Sequence, residues 1–93
     1  MLTLLTYDIS DTTTRSRFIK RLYQYGLKRL QKSVFIGYLQ PNERFDLSKE
    51  FNSCLSSPKD SIVLFPICEN CKKSIVNEGN ISIPQNNESY RFI

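Results

Sequence analysis

Residues 2 to 8, LTLLTYD, constrain this chain more than any other stretch. A run with nothing more polar than threonine and tyrosine leads straight into an aspartate. So continuous an apolar run fits a central strand covered on its faces. The acid that ends it needs its own explanation. A second acid, Asp11, follows three residues on. Ser10, Asp11 and Thr12 supply side-chain oxygens that can accept the unpaired N–H groups opening a helix.

The expected helix runs to about Tyr25. Phe18, Leu22 and Tyr25 recur at spacings of four and three, joined by Ile19, as a stripe facing a core. Gly26 stands where helices commonly end in a left-handed residue. Residues 27 to 39 are rich in β-branched and aromatic side chains and too long for one typical strand. They read as one or two strands, with Gly37 marking a bulge or a close approach. Pro41-Asn42-Glu43 opens a second helix, with Phe45, Leu47, Phe51 and Leu55 as its apolar stripe and Cys54 alongside. SIVLFPI, residues 61 to 67, is a further strand whose Pro66 suits an edge or a terminus. Beyond Cys71 the composition turns to Asn, Ser, Gln and Glu. There ISIP, 81 to 84, is a candidate extra strand, and NNESYRFI is a tail ordered only where something receives Tyr90 and Phe92.

The order β, α, one or two β, α, β predicts an α+β fold of ferredoxin-like βαββαβ plan. Residues 1–76 would form the domain and 77–93 a C-terminal extension. A chain of 93 residues has a limited core and gains by burying more surface in a two-fold dimer.

Thirteen Lys and Arg against nine Asp and Glu give a net charge of +4. Placement says more: Arg15, Arg17, Lys20, Arg21, Lys28, Arg29 and Lys32 fall between residues 15 and 32, with no acid among them. They read either as a solvated helix face or, preferred here, as a surface that contacts phosphate. Arginine's planar fork matches phosphate oxygens. Strand alternation would put Arg29, Gln31 and Ser33 on one face, continued by Phe35. Phe35 is then either a base-stacking ring or, more commonly, core.

Asp8 is the residue best placed for chemistry. A carboxylate held rigidly at a strand's end can ligate a hard cation such as Mg²⁺, but one is too few for a tight site. Two copies meeting across a dimer axis could share the ion. The alternative makes Asp8 or Asp11 a helix cap, which accounts fully for Asp11. Cys68 and Cys71, in CENC, fall short of a zinc site because the chain has no histidine and only one other cysteine, Cys54. A redox role would call for a thioredoxin-like context, and the pair reads as small packing residues at a helix start. Without histidine the usual neutral-pH base is missing, so any hydrolysis would rely on a metal-activated water. No apolar run approaches the roughly 20 residues that span a bilayer, and the N-terminus does not read as a signal peptide. A cytoplasmic protein with reduced thiols is expected.

Three stretches together, YDISD, YGLKRLQKSVFIGYL and DSIVLFPICENC, resemble the CRISPR-associated Cas-two family over residues 1 to about 76. The resemblance implies a ferredoxin-like homodimer, often with a C-terminal strand crossing to its partner, as ISIP would here. It implies a place at the centre of a complex with the larger integrase subunit, holding the middle of a prespacer DNA duplex during spacer acquisition. Some family members are described as metal-dependent nucleases on RNA or duplex DNA. The family's metal-ligating aspartate falls on Asp8, its arginines on Arg15 and Arg17, and its strand-borne Arg and Phe on Arg29 and Phe35. Two further readings compete with this DNA-binding adaptor. One is a stand-alone endonuclease or toxin-like endoribonuclease using Asp8 and Mg²⁺. The other is an RNA-recognition-type binder, whose basic-glycine-aromatic strand signature is missing.

Overall fold

The structure, a computed structural model, describes residues 1–84. The expected tail with Tyr90 and Phe92 lies outside the described residues. The elements run β1 (Leu2–Asp8), α1 (Thr12–Gln24), β2 (Lys28–Gln31), β3 (Val34–Tyr38), α2 (Pro41–Ser48), α3 (Phe51–Cys54), β4 (Ser61–Ile67) and α4 (Glu69–Lys73).

The strands form one sheet in the order β2-β3-β1-β4, each neighbour antiparallel to the next. This is the ferredoxin-like arrangement. Each βαβ crossover leaves room for one strand between its own two, and the two crossovers interlock. The apolar run of β1 thereby finds its reason, since β1 is an interior strand with partners on both sides.

Alternation along β1 sends Leu5 and Tyr7 to the helix layer, where they pack with Phe18, Leu22, Phe35 and Leu47. Phe18 meets Tyr7 edge-on at 5.7 Å and Phe51 at 6.0 Å, which ties α1 to the sheet and to α3. The other face of β1 carries Leu2, Leu4, Thr6 and Asp8, paired with Tyr38, Ile36 and Val34 of β3 and with Ile67, Phe65, Val63 and Ser61 of β4. Residues 75 to 83 lie against part of that face, where Ile81 and Ile83 share a groove of about 440 Å³ with Leu4, Thr6 and Val34. Leu2 and Ile36 are buried there, while Val63 and Phe65 on the edge strand stay 42% and 47% exposed.

The long segment 27 to 39 is two strands joined by a tight turn. Gly26 has φ +84°, the left-handed residue that ends α1. Gly37 marks a close approach: a Cβ there would stand 2.8 Å from Leu27 Cδ2 and 3.2 Å from Leu27 Cα.

Two expectations are corrected. The second helix is not continuous. Its hydrogen bonds tighten from Lys49 N–H to Phe45 O at 3.2 Å to Glu50 N–H to Leu47 O at 3.0 Å, and a separate turn, α3, follows. The expected apolar stripe is not formed: Phe45 and Leu47, two residues apart in α2, face opposite ways, so Leu47 is buried while Phe45 is 62% exposed, and Leu55, past the end of α3, is 38% exposed. ISIP forms no strand within the protomer. Among the described residues no helix is long and apolar enough to cross a membrane.

Candidate functional site

Asp8 sits where the sheet runs out on one side only. The ladder with β4 continues to Asp8 opposite Ser61, but the ladder with β3 ends at Thr6 opposite Val34. Beyond it, Tyr7 N–H donates to Ser33 O at 3.2 Å. The side chains of Tyr7 and Asp8 point to opposite faces, as strand alternation requires. Tyr7 therefore reaches beneath the β2–β3 turn, where its hydroxyl donates to Lys32 O at 3.2 Å and accepts from Arg29 Nη2 at 3.3 Å. Asp8 is left exposed.

The loop after β1 is fastened from two sides. Arg15, half-buried on α1, donates through Nη1 to Ile9 O at 2.9 Å. Asp60, ahead of β4, accepts from Ser10 N–H and from Ser56 N–H, each at 3.0 Å. The Ser56 N–H bond leads in holding the Asp60 carboxyl below its ordinary value. Asp11 is the N-cap of α1, accepting from Thr14 Oγ1 at 2.7 Å and from Thr14 N–H at 2.8 Å. Those bonds hold the Asp11 carboxyl below its ordinary pKa in the same way, with Arg17 and Arg15 adding to the effect. The cap is thus Asp11, and Asp8 is free of that task.

The result is a recess of about 240 Å³ bounded by Tyr7, Asp8, Ile9, Arg15, Lys32 and Ser33. Two cations share it with one carboxylate. Among the described residues no donor engages the Asp8 carboxylate, and no three His, Cys, Asp or Glu side chains gather to hold a metal. Magnesium keeps several of its waters and takes one or two carboxylates, with substrate phosphates completing its shell. The single Asp8 of one protomer falls short of that donor set, whereas one Asp8 from each of two copies matches it.

The other basic residues divide. Arg17 and Lys20 are exposed on α1 and rim a groove of about 380 Å³ between α1 and α3. Arg21 is committed to structure: its guanidinium grips Glu50 with Nε to Oε1 at 2.9 Å and Nη2 to Oε2 at 2.7 Å. That fork is the main cause of the lowered Glu50 value. Lys28 reaches Ser82 Oγ at 3.1 Å.

The predicted single face of Arg29, Gln31, Ser33 and Phe35 is not formed. Arg29 stands opposite Phe35, its guanidinium 5.4 Å from the ring centre. A register shift at Leu30 then turns Gln31 to the other face, opposite Val34, and Ser33 lies in the turn beside Asp8. Phe35 has no exposure and offers no ring face to a base. The exposed ring nearby is Tyr23, 52% exposed and edge-on to Phe35 at 5.3 Å. Alternation was sound for β3, but a bulge in a four-residue strand is invisible to it. Lys32 was read only as one of the basic cluster, and Tyr7 was not singled out in the sequence. The signal for Tyr7 was its place directly before the aspartate, on the opposite side of the strand. Cys68 and Cys71 do sit at a helix start, where Cys68 is the N-cap of α4, but both are exposed rather than packed.

Comparison with known proteins places this geometry. The family model described as CRISPR associated protein Cas2 matches residues 1–75. A protein of Archaeoglobus fulgidus named CRISPR-associated endoribonuclease Cas2 is 36% identical over 83 residues, which are 89% of this chain and 88% of that one. The crystal structure of Streptococcus pyogenes Cas2 superposes with a TM-score of 0.70 at 25% identity, covering 85% of this chain and all of that one. A hypothetical protein from Thermus thermophilus superposes at 0.73 with 28% identity, over 90% of this chain and 96% of that one. With its residues 1–75 accounted for by one family and the fold shared by solved members, this chain belongs to the Cas2 family of CRISPR-associated proteins.

Proposed function

We propose that this chain is a dimeric adaptor of CRISPR adaptation, binding the prespacer DNA duplex and bridging the integrase subunit. The observation that carries the reading is the recess at the end of β1, where Arg15 and Lys32 flank a single donor-free carboxylate, Asp8. Two cations to one acid attract a polyanion. Contact with phosphate needs only the cations of the recess and of α1, Arg15, Arg17 and Lys20, whereas hydrolysis needs a metal site that one protomer does not complete. Binding is therefore the primary role, and cleavage depends on assembly.

Assembly would run through the open face of the sheet. Val63 and Phe65 are exposed there on an edge strand, which makes them ready to be covered by a second copy. Residues 77–93 are proposed to extend that contact. In such a dimer the two Asp8 carboxylates would hold a Mg²⁺, and the ion would supply an activated water and charge stabilisation at a phosphodiester. This chain's own contribution is positional. Tyr7 fixes the β2–β3 turn, and Arg15 fixes the loop after β1, so that Lys32, Ser33 and the guanidinium of Arg15 face the same phosphate as Asp8. Arg29 and Gln31, on opposite faces of β2, would contact nucleic acid separately.

A second reading, a stand-alone metal-dependent endoribonuclease, is favoured by the name of the Archaeoglobus fulgidus relative. Replacing Asp8 by Ala separates the two when spacer acquisition is scored beside cleavage of RNA and duplex DNA. The adaptor reading expects acquisition to persist while any cleavage disappears. Loss of acquisition in a variant that still folds, dimerises and binds duplex would overturn it and make the carboxylate's chemistry essential.

A further inference from the structure

CENC is the one motif that the proposed function leaves unused. Its two thiols are exposed, at the point where β4 ends and α4 begins. Cys68 is the N-cap of α4, with φ −74° and ψ 166°, and its sulfur accepts the N–H of Cys71 at 3.5 Å. The N-cap side chain folds back over the third helical residue, as in any capped helix. Here that residue is a second cysteine, so the turn that caps the helix also sets thiol against thiol. Among the described residues no third His, Cys, Asp or Glu joins them, so a closed metal site of the zinc type is missing half its ligands.

We propose that Cys68 and Cys71 are a redox-active dithiol, with Cys68 as the attacking sulfur and Cys71 as the resolving one, closing to an intramolecular disulfide with a low-molecular-weight disulfide such as oxidised glutathione. The chemistry does not require the thioredoxin fold. It requires a thiolate stabilised by a local donor, solvent access and a second thiol within reach. The Cys71 N–H stabilises the Cys68 thiolate and draws its pKa down, while the Cys71 thiol, donating to that sulfur, is pushed up. The roles are therefore unequal.

The exchange balances. The Cys68 thiolate attacks oxidised glutathione, whose S–S bond breaks. A mixed disulfide forms and one glutathione leaves as thiolate. Cys71 then loses its proton to solvent and attacks the Cys68 sulfur, expelling the second glutathione. The protein gives up two electrons and two protons, and the oxidant is recovered as two thiols. Closure locks the first turn of α4. From that turn the chain leads to residues 75 to 83, which lie on the open face of the sheet.

The test treats full-length protein with oxidised glutathione and reads intact mass and thiol count. Wild type should lose two free thiols and keep no glutathione. Cys71→Ser should retain a single glutathione, because nothing resolves the adduct. Cys68→Ser should form no intramolecular disulfide. In the reduced protein an alkylating reagent should modify Cys68 several-fold faster than half-buried Cys54. Both residues are exposed, and circular dichroism of the variants confirms folding. Wild type that keeps a glutathione adduct, equal rates at Cys68 and Cys54, or purified protein whose thiols are masked by zinc would each overturn the proposal.

Discussion

Replacing Gly37 by Ala tests the packing of the sheet against the turn that leads into β2. The added Cβ would lie 2.8 Å from Leu27 Cδ2, 3.2 Å from Leu27 Cα and 3.3 Å from Gly26 O. The first contact is with the end of a side chain that can rotate away. The other two are with backbone. One of them belongs to Gly26, whose φ of +84° leaves it little freedom to move without losing the cap of α1. On the opposite side Gly37 is paired with Thr3, a fully buried residue of the interior strand. The strain has no outlet on either side, so the overpacking cost should fall in the usual range of about 1–3 kcal/mol. Removing a glycine returns about 0.5–1 kcal/mol through the unfolded chain. From the middle of each range the net loss is about 1 kcal/mol. Urea unfolding followed by tryptophan-free probes, tyrosine fluorescence and circular dichroism, should show the midpoint fall by about 0.5–1 M with the slope unchanged. Both proteins must be compared at one protomer concentration, since the stability of the proposed dimer would depend on it. A midpoint that stays put or rises would show that β3 and residues 26 to 27 are not in contact as described.

Further expectations concern the site. Tyr7→Phe removes the hydroxyl shared by Lys32 O and Arg29. It should cost about 0.5–1.5 kcal/mol and weaken nucleic-acid binding, and a gain in stability would refute the bracing role. Arg15→Ala with Arg17→Ala should flatten the salt dependence of duplex binding by about one unit of slope per lost phosphate contact. An unchanged slope would place the DNA elsewhere. Asp11, Glu50 and Asp60 all have folded values below their ordinary ones, 3.8 for aspartate and 4.5 for glutamate. Groups so depressed contribute stability that is fully present above the ordinary values and is lost as pH falls through the lowered ones. Unfolding stability should therefore hold from neutral pH down to about pH 5 and then fall, and a decline that begins near neutrality would contradict the assignment.

The fold was legible because its signals were local and mutually consistent. The run 2 to 8, the stripe through Phe18 and Leu22, and Gly26 each dictate one element, and together they leave few topologies. What escaped was set by contacts between elements. Phe45 and Leu47 are two residues apart, so α2 buries one and leaves the other exposed, and Leu55 falls past the end of the separate turn α3. Gln31 leaves the face of Arg29 through a bulge that no periodicity announces. Asp8 was recognisable from its place at a strand end. Its setting was not, because Lys32 and Ser33 come to it only through the β2–β3 turn. Arg21 looked like one more surface cation until Glu50, 29 residues away, claimed it.

The central claim is that Asp8 acts as a pair, one from each of two chains. Manganese, which substitutes for magnesium and is visible by electron paramagnetic resonance, measures this directly in a titration of dimeric protein. One tightly held ion for every two chains, lost in Asp8→Asn at unchanged dimer mass, is the predicted result. One ion per chain, or an ion retained by Asp8→Asn, would contradict it.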